Sequence, residues 1–428
     1  MDDNKTPVQI YFIISLLGLW LLATTASFEY KSTPLIITNI FCSIALIALG
    51  LLCRHKPTAI RIWAIAAIGI WLQFSPLLFW APNASSYVND TFIGCFVIAL
   101  SITLHPMPGY SLKEMPTIPP GWSYNPSSWV QRLPIAFFAF VCWMLARYLA
   151  AYQLGYIDTV WDPFFTPGTK GVLESKVSKA FPVSDAGLGA FAYTMEFFSI
   201  CQGSTNRWRT APWLVLVFGI LVVPVSIVSI VLIILQPLVV GTWCTLCLTT
   251  AACMLIPMPF AIGEVMASIQ YLRYSKEKPF FQRLFFGGEC PGEQPDTLSP
   301  PLESPLFTLF KSSLSGLTFP WNLSLSIPLG IIIMALPSAL GFEGLLYNSD
   351  PILGALSIVT ATVSFSECLR NLRYLNCLIA TILLISALIS WNNYPLFIVC
   401  LHAILAIAIA LLALRKGPIL EQWKLNIQ

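Results

Sequence analysis

Apolar residues fall in runs of about 20, the length an α-helix needs to cross the hydrocarbon core of a bilayer, and polar residues are gathered into the stretches between them. Twelve runs fit this pattern, near residues 8–27, 34–53, 62–80, 91–107, 129–153, 184–201, 211–235, 241–263, 322–342, 351–367, 373–390 and 394–414. Pro224, Pro257 and Pro337 interrupt some of them, which does not exclude a span, because packed neighbours re-satisfy the freed backbone groups. The expected fold is therefore all-α: a polytopic membrane protein of about 12 transmembrane helices, with a central four-helix bundle flanked by two four-helix blocks. The first run is read as a retained span, since Met1-Asp2-Asp3-Asn4-Lys5 has net negative charge, unlike the start of a secretory signal.

Two polar stretches set the boundaries. Residues 111–128 contain Pro116, Pro119 and Pro120 and read as a stiff cytoplasmic connector. Residues 264–320 open on Arg273, Lys276, Lys278 and Arg283, with Phe280, Phe281, Phe285 and Phe286 among them, a composition suited to the inner membrane surface. The following Cys290–Pro305 is rich in Pro, Gly, Glu and Ser and is expected to be mobile, its lone Cys290 needing no partner in a reducing compartment. The units are thus 1–110, 111–128, 129–263, 264–320, 321–414 and a tail, 415–428. The outer blocks share a pattern: Ser75-Pro76 with Trp80, Asn89-Asp90 and Gly94 in one, Leu336-Pro337 with Asn348, Asp350 and Gly354 in the other. Proline near the end of one helix and Asn or Asp opening the next is a helical-hairpin signature, and the pattern is similar to the Ser-Pro-Trp repeat of bacterial membrane proteins. Neither outer block holds a paired acid, base or ligand set, so scaffold or lipid-contact roles are expected there.

Composition agrees with a membrane chain: 57% of the 428 residues are hydrophobic and 10% charged, with mean hydropathy +0.75. A net charge of +3 gives no argument for a nucleic-acid partner. Its distribution says more. With the N-terminus inside, all but five of the 23 Lys and Arg fall on the inner side; the exceptions are Lys31, Arg147, Lys170, Lys176 and Lys179. That bias places both termini in the cytoplasm and the stretch before the eighth run outside.

Cys244-Thr245-Leu246-Cys247 opens that eighth run. Two sulfurs three residues apart share one face of a helix's first turn and can bond reversibly. The unpaired N–H groups there, with the aligned peptide dipoles, favour thiolate. Two alternatives compete. Structural zinc would need two further ligands, yet the other cysteines are scattered and His55, His105 and His402 lie far off in sequence. The plainer alternative is a pair of inert cysteines packed in apolar surroundings. Most of the twelve cysteines read that way, Cys142, Cys201 and Cys253 among them.

The flanks of the pair decide between these. Cys244-Thr245-Leu246-Cys247-Leu248-Thr249-Thr250 resembles the redox helix of the vitamin K epoxide reductase family, Thr-Thr included. Ser184-Asp185-Ala186-Gly187-Leu188-Gly189-Ala190-Phe191-Ala192-Tyr193-Thr194 is similar to the segment with which that family begins its second core helix. The resemblance covers residues 129–270. It implies a membrane thiol–disulfide oxidoreductase in which Cys244 and Cys247 pass electrons to a quinone, ubiquinone or menaquinone, with no metal. Cys247 is expected to be the deeper thiol and Cys244 the more exposed one, open to an outside donor such as a periplasmic thioredoxin-like protein. The ring would lie among Phe191, Tyr193, Leu246 and Val240, beside the helix-opening pair Ser184 and Asp185. Asp185 stands where the family has an Asn that hydrogen-bonds the quinone, which makes it a candidate proton donor. Gly187 and Gly189 are expected to permit close helix approach.

Residues 154–183, with Trp161, Phe164, Phe165 and Phe181, have the composition of a lid at the outer surface. Arg147 is expected to snorkel or pair with an acid there. Glu196, an acid inside a span, is expected either to meet Arg207 or Arg209 or to serve a proton path. The chain departs from the family in having no cysteine between Leu154 and Ile200, and in Ala251 where vertebrate members carry a quinone-contacting Tyr. The competing reading is a non-catalytic scaffold that keeps the fold and binds an isoprenoid or a partner protein; a transporter ranks behind both. The expected location is a bacterial inner membrane, in contact with lipid and with the redox site facing the periplasm.

Overall fold

The computed structural model describes residues 8–28, 30–104 and 115–420. Lys5, Lys113 and Lys424, the connector before 115 and the tail beyond 420 lie outside the described residues. Among the described residues the regular structure is helical, apart from a two-residue antiparallel ladder and an isolated bridge. Among the described residues ten helices are long and apolar enough to cross a membrane. The other two expected spans exist as helices but fall short: one has 17 residues and carries Asp185 and Glu196, the other carries Asn348, Ser349 and Asp350 in its first turns.

The first block is two helical hairpins, α1 (Val8–Ser27) with α2 (Thr33–His55) and α3 (Ala59–Leu78) with α4 (Ala84–Ile102). Glycine sets how closely the second pair packs: a Cβ on Gly94 would stand 2.8 Å from the carbonyl oxygen of Gly69. Asp90, fully buried in α4, accepts from the Tyr30 hydroxyl at 2.7 Å and the Asn39 amide at 3.0 Å.

The central bundle comprises α5 (Trp129–Gln153), a short α6 (Gly168–Leu173), α7 (Asp185–Cys201), a single turn α8 (Arg207–Thr210), α9 (Pro212–Leu235), α10 (Thr245–Leu255) and α11 (Met258–Tyr274). Pro224 is absorbed inside α9, whereas Pro257 breaks the eighth run into α10 and α11. The bundle has two chemically different ends. The starts of α7 and α10 and the end of α5 share one end with the α1–α2 and α3–α4 turns, joined through Tyr30, Leu35, Leu77, Ala81, Tyr87, Leu154 and Tyr156. The opposite end is built on buried charge. Glu264 of α11 takes two bonds from Arg207 at 2.6 Å, accepts from Ser127 at 2.5 Å, and lies 3.9 Å from Arg132. Arg132 also donates to the Gly203 carbonyl at 3.0 Å. Arginines counted by sequence as loop cations are therefore interior, because one carboxylate and several helix-end carbonyls satisfy them. Glu264 itself lies within α11, which runs past the expected boundary at 263.

The segment expected to be mobile is tied to this end. Thr117 and Ile118 pair with Pro295 and Gln294, Glu293 meets Arg209 at 2.7 Å, and Cys290 is buried beside Trp208 and Tyr271. Burial, reinforced by Glu293, pushes the Cys290 thiol up to about 12. It is an inert packing cysteine at neutral pH. Before this segment, α12 (Phe280–Phe286) exposes all four of its phenylalanines, as a helix lying on a membrane surface would. After it comes an amphipathic α13 (Leu306–Ser313), which sequence reading passed over.

The last block holds α14 (Trp321–Leu340), α15 (Leu345–Val363), α16 (Leu375–Ile389) and α17 (Leu396–Leu414). Helices α14 and α15 repeat the α3–α4 contact: a Cβ on Gly354 would stand 2.5 Å from the Gly330 carbonyl. Buried Asp350, like Asp90 four residues before its glycine, meets His402 of α17 at 2.8 Å. The outer blocks are thus not free of paired acid and base groups, as the sequence had implied. Asp350 and His402 are both fully buried and satisfy each other.

Candidate functional site

The residues that aim the cysteine pair come before it. The chain leaves α9 through a five-residue turn, Gln236–Val240, and reverses at Gly241, whose φ of 76° suits glycine. Cys244 then stands at the N-cap of α10, its sulfur accepting the Cys247 N–H at 3.1 Å. Its own N–H donates to the Gln236 side-chain oxygen at 2.9 Å. Cys244 and Cys247 are joined by a disulfide with a Cα separation of 5.3 Å, inside the usual range.

The exposures of the two sulfurs reverse the sequence expectation. Cys244 is fully buried, packed with Leu149, Leu173 and Leu246, while Cys247 is half-buried. The cause is the segment between α5 and α7, which folds over the start of α10. Asp162 takes the Thr245 hydroxyl at 2.5 Å, the Thr169 N–H at 2.7 Å and the Phe165 N–H at 3.2 Å. Gly168 is required where this lid meets the turn before Cys244, since a Cβ there would lie 2.2 Å from the Trp243 carbonyl oxygen. Burial raises the Asp162 carboxyl, but the bonds from Thr245, Thr169 and Phe165 outweigh it and hold the group below the usual carboxylate range.

That direction fixes a pH dependence. A carboxyl lowered in the folded state holds the lid fully above its unfolded value of about 3.9 and loses that hold as pH falls through the lower folded value. Near neutral pH the latch is therefore closed and insensitive to pH. Asp162→Ala is expected to speed reduction of the Cys244–Cys247 disulfide by a small thiol about tenfold, the effect of losing one or two hydrogen bonds to a charged group. Thiol-reduction rates at pH 7 check this; an unchanged rate would mean that the lid does not govern access to Cys244.

Cys247 opens onto a cavity of about 290 Å³ enclosed by α5, α7, α9, α10 and the lid. Of the six residues that sequence placed around the ring, Asp185, Tyr193 and Val240 line it beside Cys247. Three do not reach it. Ser184 is an N-cap, accepting from Gly187 N–H at 2.9 Å and donating to Gln153 at 2.5 Å. Phe191 faces the first block, its ring 5.5 Å from that of Phe74. Leu246 is buried with Cys244 on the other side of the helix start. A helix presents only part of its circumference to a cavity, so neighbours in sequence diverge.

Asp185 is held in place: its Oδ1 accepts from Ser178 at 2.9 Å, from the Ala186 N–H at 2.8 Å and from Gln153. Gln153, Asp162, Ser178 and Gln236 were missed from sequence. The one available signal was Gln236-Pro237 directly before the cysteine turn. Gly187 does provide close approach, with a Cβ there 2.4 Å from Leu77, whereas Gly189 instead lines the cavity.

For two charged residues the structure sets aside one of the two expected roles. Among the described residues Arg147 pairs with no acid; it donates to Thr91 at 2.9 Å and stacks over Tyr87 and Trp143. Glu196 is buried in α7 with its Oε1 lacking a hydrogen-bond partner among the described residues, and Arg207 is committed to Glu264. The packing explanation for Glu196 through Arg207 therefore fails. Among the described residues no group of three or more His, Cys, Asp or Glu is placed to hold a metal ion.

No curated protein and no solved structure matches the chain. Residues 10–104 match the model of the SPW repeat domain. Residues 133–262, which contain every element of the cavity and the cysteine pair, match the model of the Vitamin K epoxide reductase family, so this integral membrane protein carries an oxidoreductase-family domain beside an SPW repeat domain.

Proposed function

We propose that the protein oxidises dithiols and reduces a quinone through Cys244 and Cys247. One observation carries the reading: Cys247, half of a disulfide at a helix start, forms part of the wall of a ring-sized apolar cavity. In the forward direction the two thiols give up two electrons and two protons. The quinone takes them and leaves as quinol, and the S–S bond forms between Cys244 and Cys247.

The residues around the pair have distinct parts in this. Cys247 is the sulfur next to the ring. Cys244, whose sulfur accepts the Cys247 N–H, is the one better stabilised as thiolate. Asp185 and Tyr193 supply polar contacts in a mostly apolar wall that also carries Ser178, Ser229 and Thr250, and Gln236 fixes the backbone of Cys244. Asp185, with three donors on one oxygen, has its other oxygen to offer a quinol hydroxyl. An outside dithiol regenerates the pair by attacking Cys244 once the lid has lifted, through a mixed disulfide. The positive-inside bias puts this end on the non-cytoplasmic side, the periplasm in a bacterium, where disulfides persist.

Filling the cavity tests the reading. Ala192→Phe places a ring where the substrate's would lie. Quinone reduction is expected to fall about 10²-fold, the scale of a displaced reacting atom, with chemical reduction of the disulfide unaltered. Unchanged quinone turnover would place the acceptor elsewhere.

A further inference from the structure

Of the two sulfurs only Cys247 lines the cavity of about 290 Å³. Cys244 is packed on the other side of the helix start, beneath the lid, and is the sulfur favoured as thiolate. The reduced pair therefore presents one thiol proton to the cavity, whereas reduction of a quinone to quinol takes up two. Among the described residues Asp185 is the one acid lining that space.

A separate cavity of about 440 Å³ adjoins it at the end of α5. Asp158, Glu174 and Lys179 stand at its rim, all exposed. A space this roomy and polar, open to solvent, holds water. Asp185 lines the first cavity and not the second, Gln153 and Ser184 the second and not the first. Ser178 lines both, and it is 5% exposed. The other residues common to both walls, Leu173 and Phe181, are apolar. The partition is thus closed to a ligand, but it carries one hydroxyl, and a hydroxyl passes a proton along its hydrogen bonds without any larger group crossing.

We infer that Ser178 relays protons from this water-facing space to Asp185, which delivers them to the quinone. The inference rests on the quinone reading above and adds Ser178 and Gln153 as positioning residues for its proton transfer. Ser178 Oγ donates to Asp185 Oδ1 at 2.9 Å and accepts from the Gln153 amide at 2.5 Å. A hydroxyl has one donor and two acceptor sites, so one lone pair is left for a water of the outer space. Gln153 holds the arrangement in register. Its amide nitrogen donates to both Ser178 and Asp185, and its oxygen accepts from the Ser184 hydroxyl at 2.5 Å and the Ala186 N–H at 3.2 Å.

The step balances. The Cys244 thiolate and the Cys247 thiol give two electrons as the S–S bond forms. The Cys247 proton and the Asp185 proton go to the two quinone oxygens, which leaves Asp185 as the carboxylate. Ser178 then passes its hydroxyl proton to Asp185 and takes another from water. When an outside dithiol next reduces the disulfide, one of its protons goes to Cys247 and the other returns to water, so no net proton is gained or lost.

The test follows successive turnovers of the full chain with a saturating dithiol and a short-chain quinone. Ser178→Ala leaves Asp185 its bonds from Gln153 and Ala186, so the first quinol is expected to form from the proton already held. Later turnovers need Asp185 refilled and are expected to slow about 10²-fold, the scale of a positioned proton donor, and further in heavy water. Ser178→Thr, which keeps the hydroxyl, should restore them. First and later turnovers slowed alike would mean that Ser178 only shapes the cavity. Later turnovers at the wild-type rate would mean that Asp185 refills by another route. Either result overturns the inference. A second arm needs no quinone: hydrogen exchange of the Asp185 carboxyl after rapid mixing into heavy water, read from the infrared band that Asp185→Asn removes. Slower exchange in Ser178→Ala supports the relay even if quinone reduction fails in the unaltered protein. Exchange equally fast in both overturns the relay and leaves the quinone reading standing.

Discussion

Under the proposed function, Cys247→Ala and Cys244→Ala are each expected to remove quinone-coupled thiol oxidation, a loss of about 10³-fold or more, because the two sulfurs act as a unit and neither alone can close the disulfide. The two variants differ in what they trap. In Cys247→Ala the remaining sulfur is Cys244, capped by the N–H of residue 247 and facing the lid. Its thiolate is expected to attack the disulfide of an oxidised thioredoxin-like partner and hold it as a mixed disulfide, visible as a mass shift under non-reducing conditions that a reductant abolishes. In Cys244→Ala the remaining Cys247 faces the 290 Å³ cavity and should trap little. Because the lid covers Cys244, adding Asp162→Ala to Cys247→Ala should raise the trapped fraction. Equal trapping by both single variants would contradict the division of roles between the sulfurs.

The largest stability effect is expected at the opposite end. Glu264→Ala leaves Arg207 and Arg132, both at most 1% exposed, without their shared counter-charge. Breaking a buried pair by removing one partner costs about 3–5 kcal/mol. Thermal unfolding in detergent should show a markedly lower midpoint for this variant. Removing one of the two stranded arginines as well, Arg207→Met with Glu264→Leu, should recover part of the loss, since Arg132 then remains the one cation without the carboxylate and keeps its bond to the Gly203 carbonyl. A midpoint unchanged in Glu264→Ala would mean that the remaining carbonyl contacts suffice for both arginines.

Local pattern carried a good deal of this architecture. Run length located the helices, and the Cys-x-x-Cys at the start of an apolar run placed the sulfur pair at a helix start and on one face. The spacing of Pro76, Asp90 and Gly94, and of Pro337, Asp350 and Gly354, marked two helical hairpins that pack through equivalent glycines. What could not be read is what distant segments do to one another. The order of exposure of Cys244 and Cys247 is set by Asp162, some eighty residues upstream of Thr245. Phe191 and Tyr193 sit two apart on α7, yet one packs on the first block and the other lines the cavity. Sequence proximity suggested Glu196 for Arg207, whereas the partner is Glu264 on another helix. The Pro- and Gly-rich stretch after Cys290 looked mobile because its anchors, Thr117 and Arg209, are elsewhere in the chain.

The most direct measurement is a single turnover without oxygen. Reduced protein is mixed with one equivalent of quinone, and quinol formed is compared with thiols lost, residue by residue, by alkylation and mass mapping. One quinol for every two thiols, with both losses at Cys244 and Cys247 and the other ten cysteines unchanged, is the predicted result. Quinol formed without loss of those two thiols, or no quinol while both thiols persist, would contradict electron transfer between this pair and a quinone.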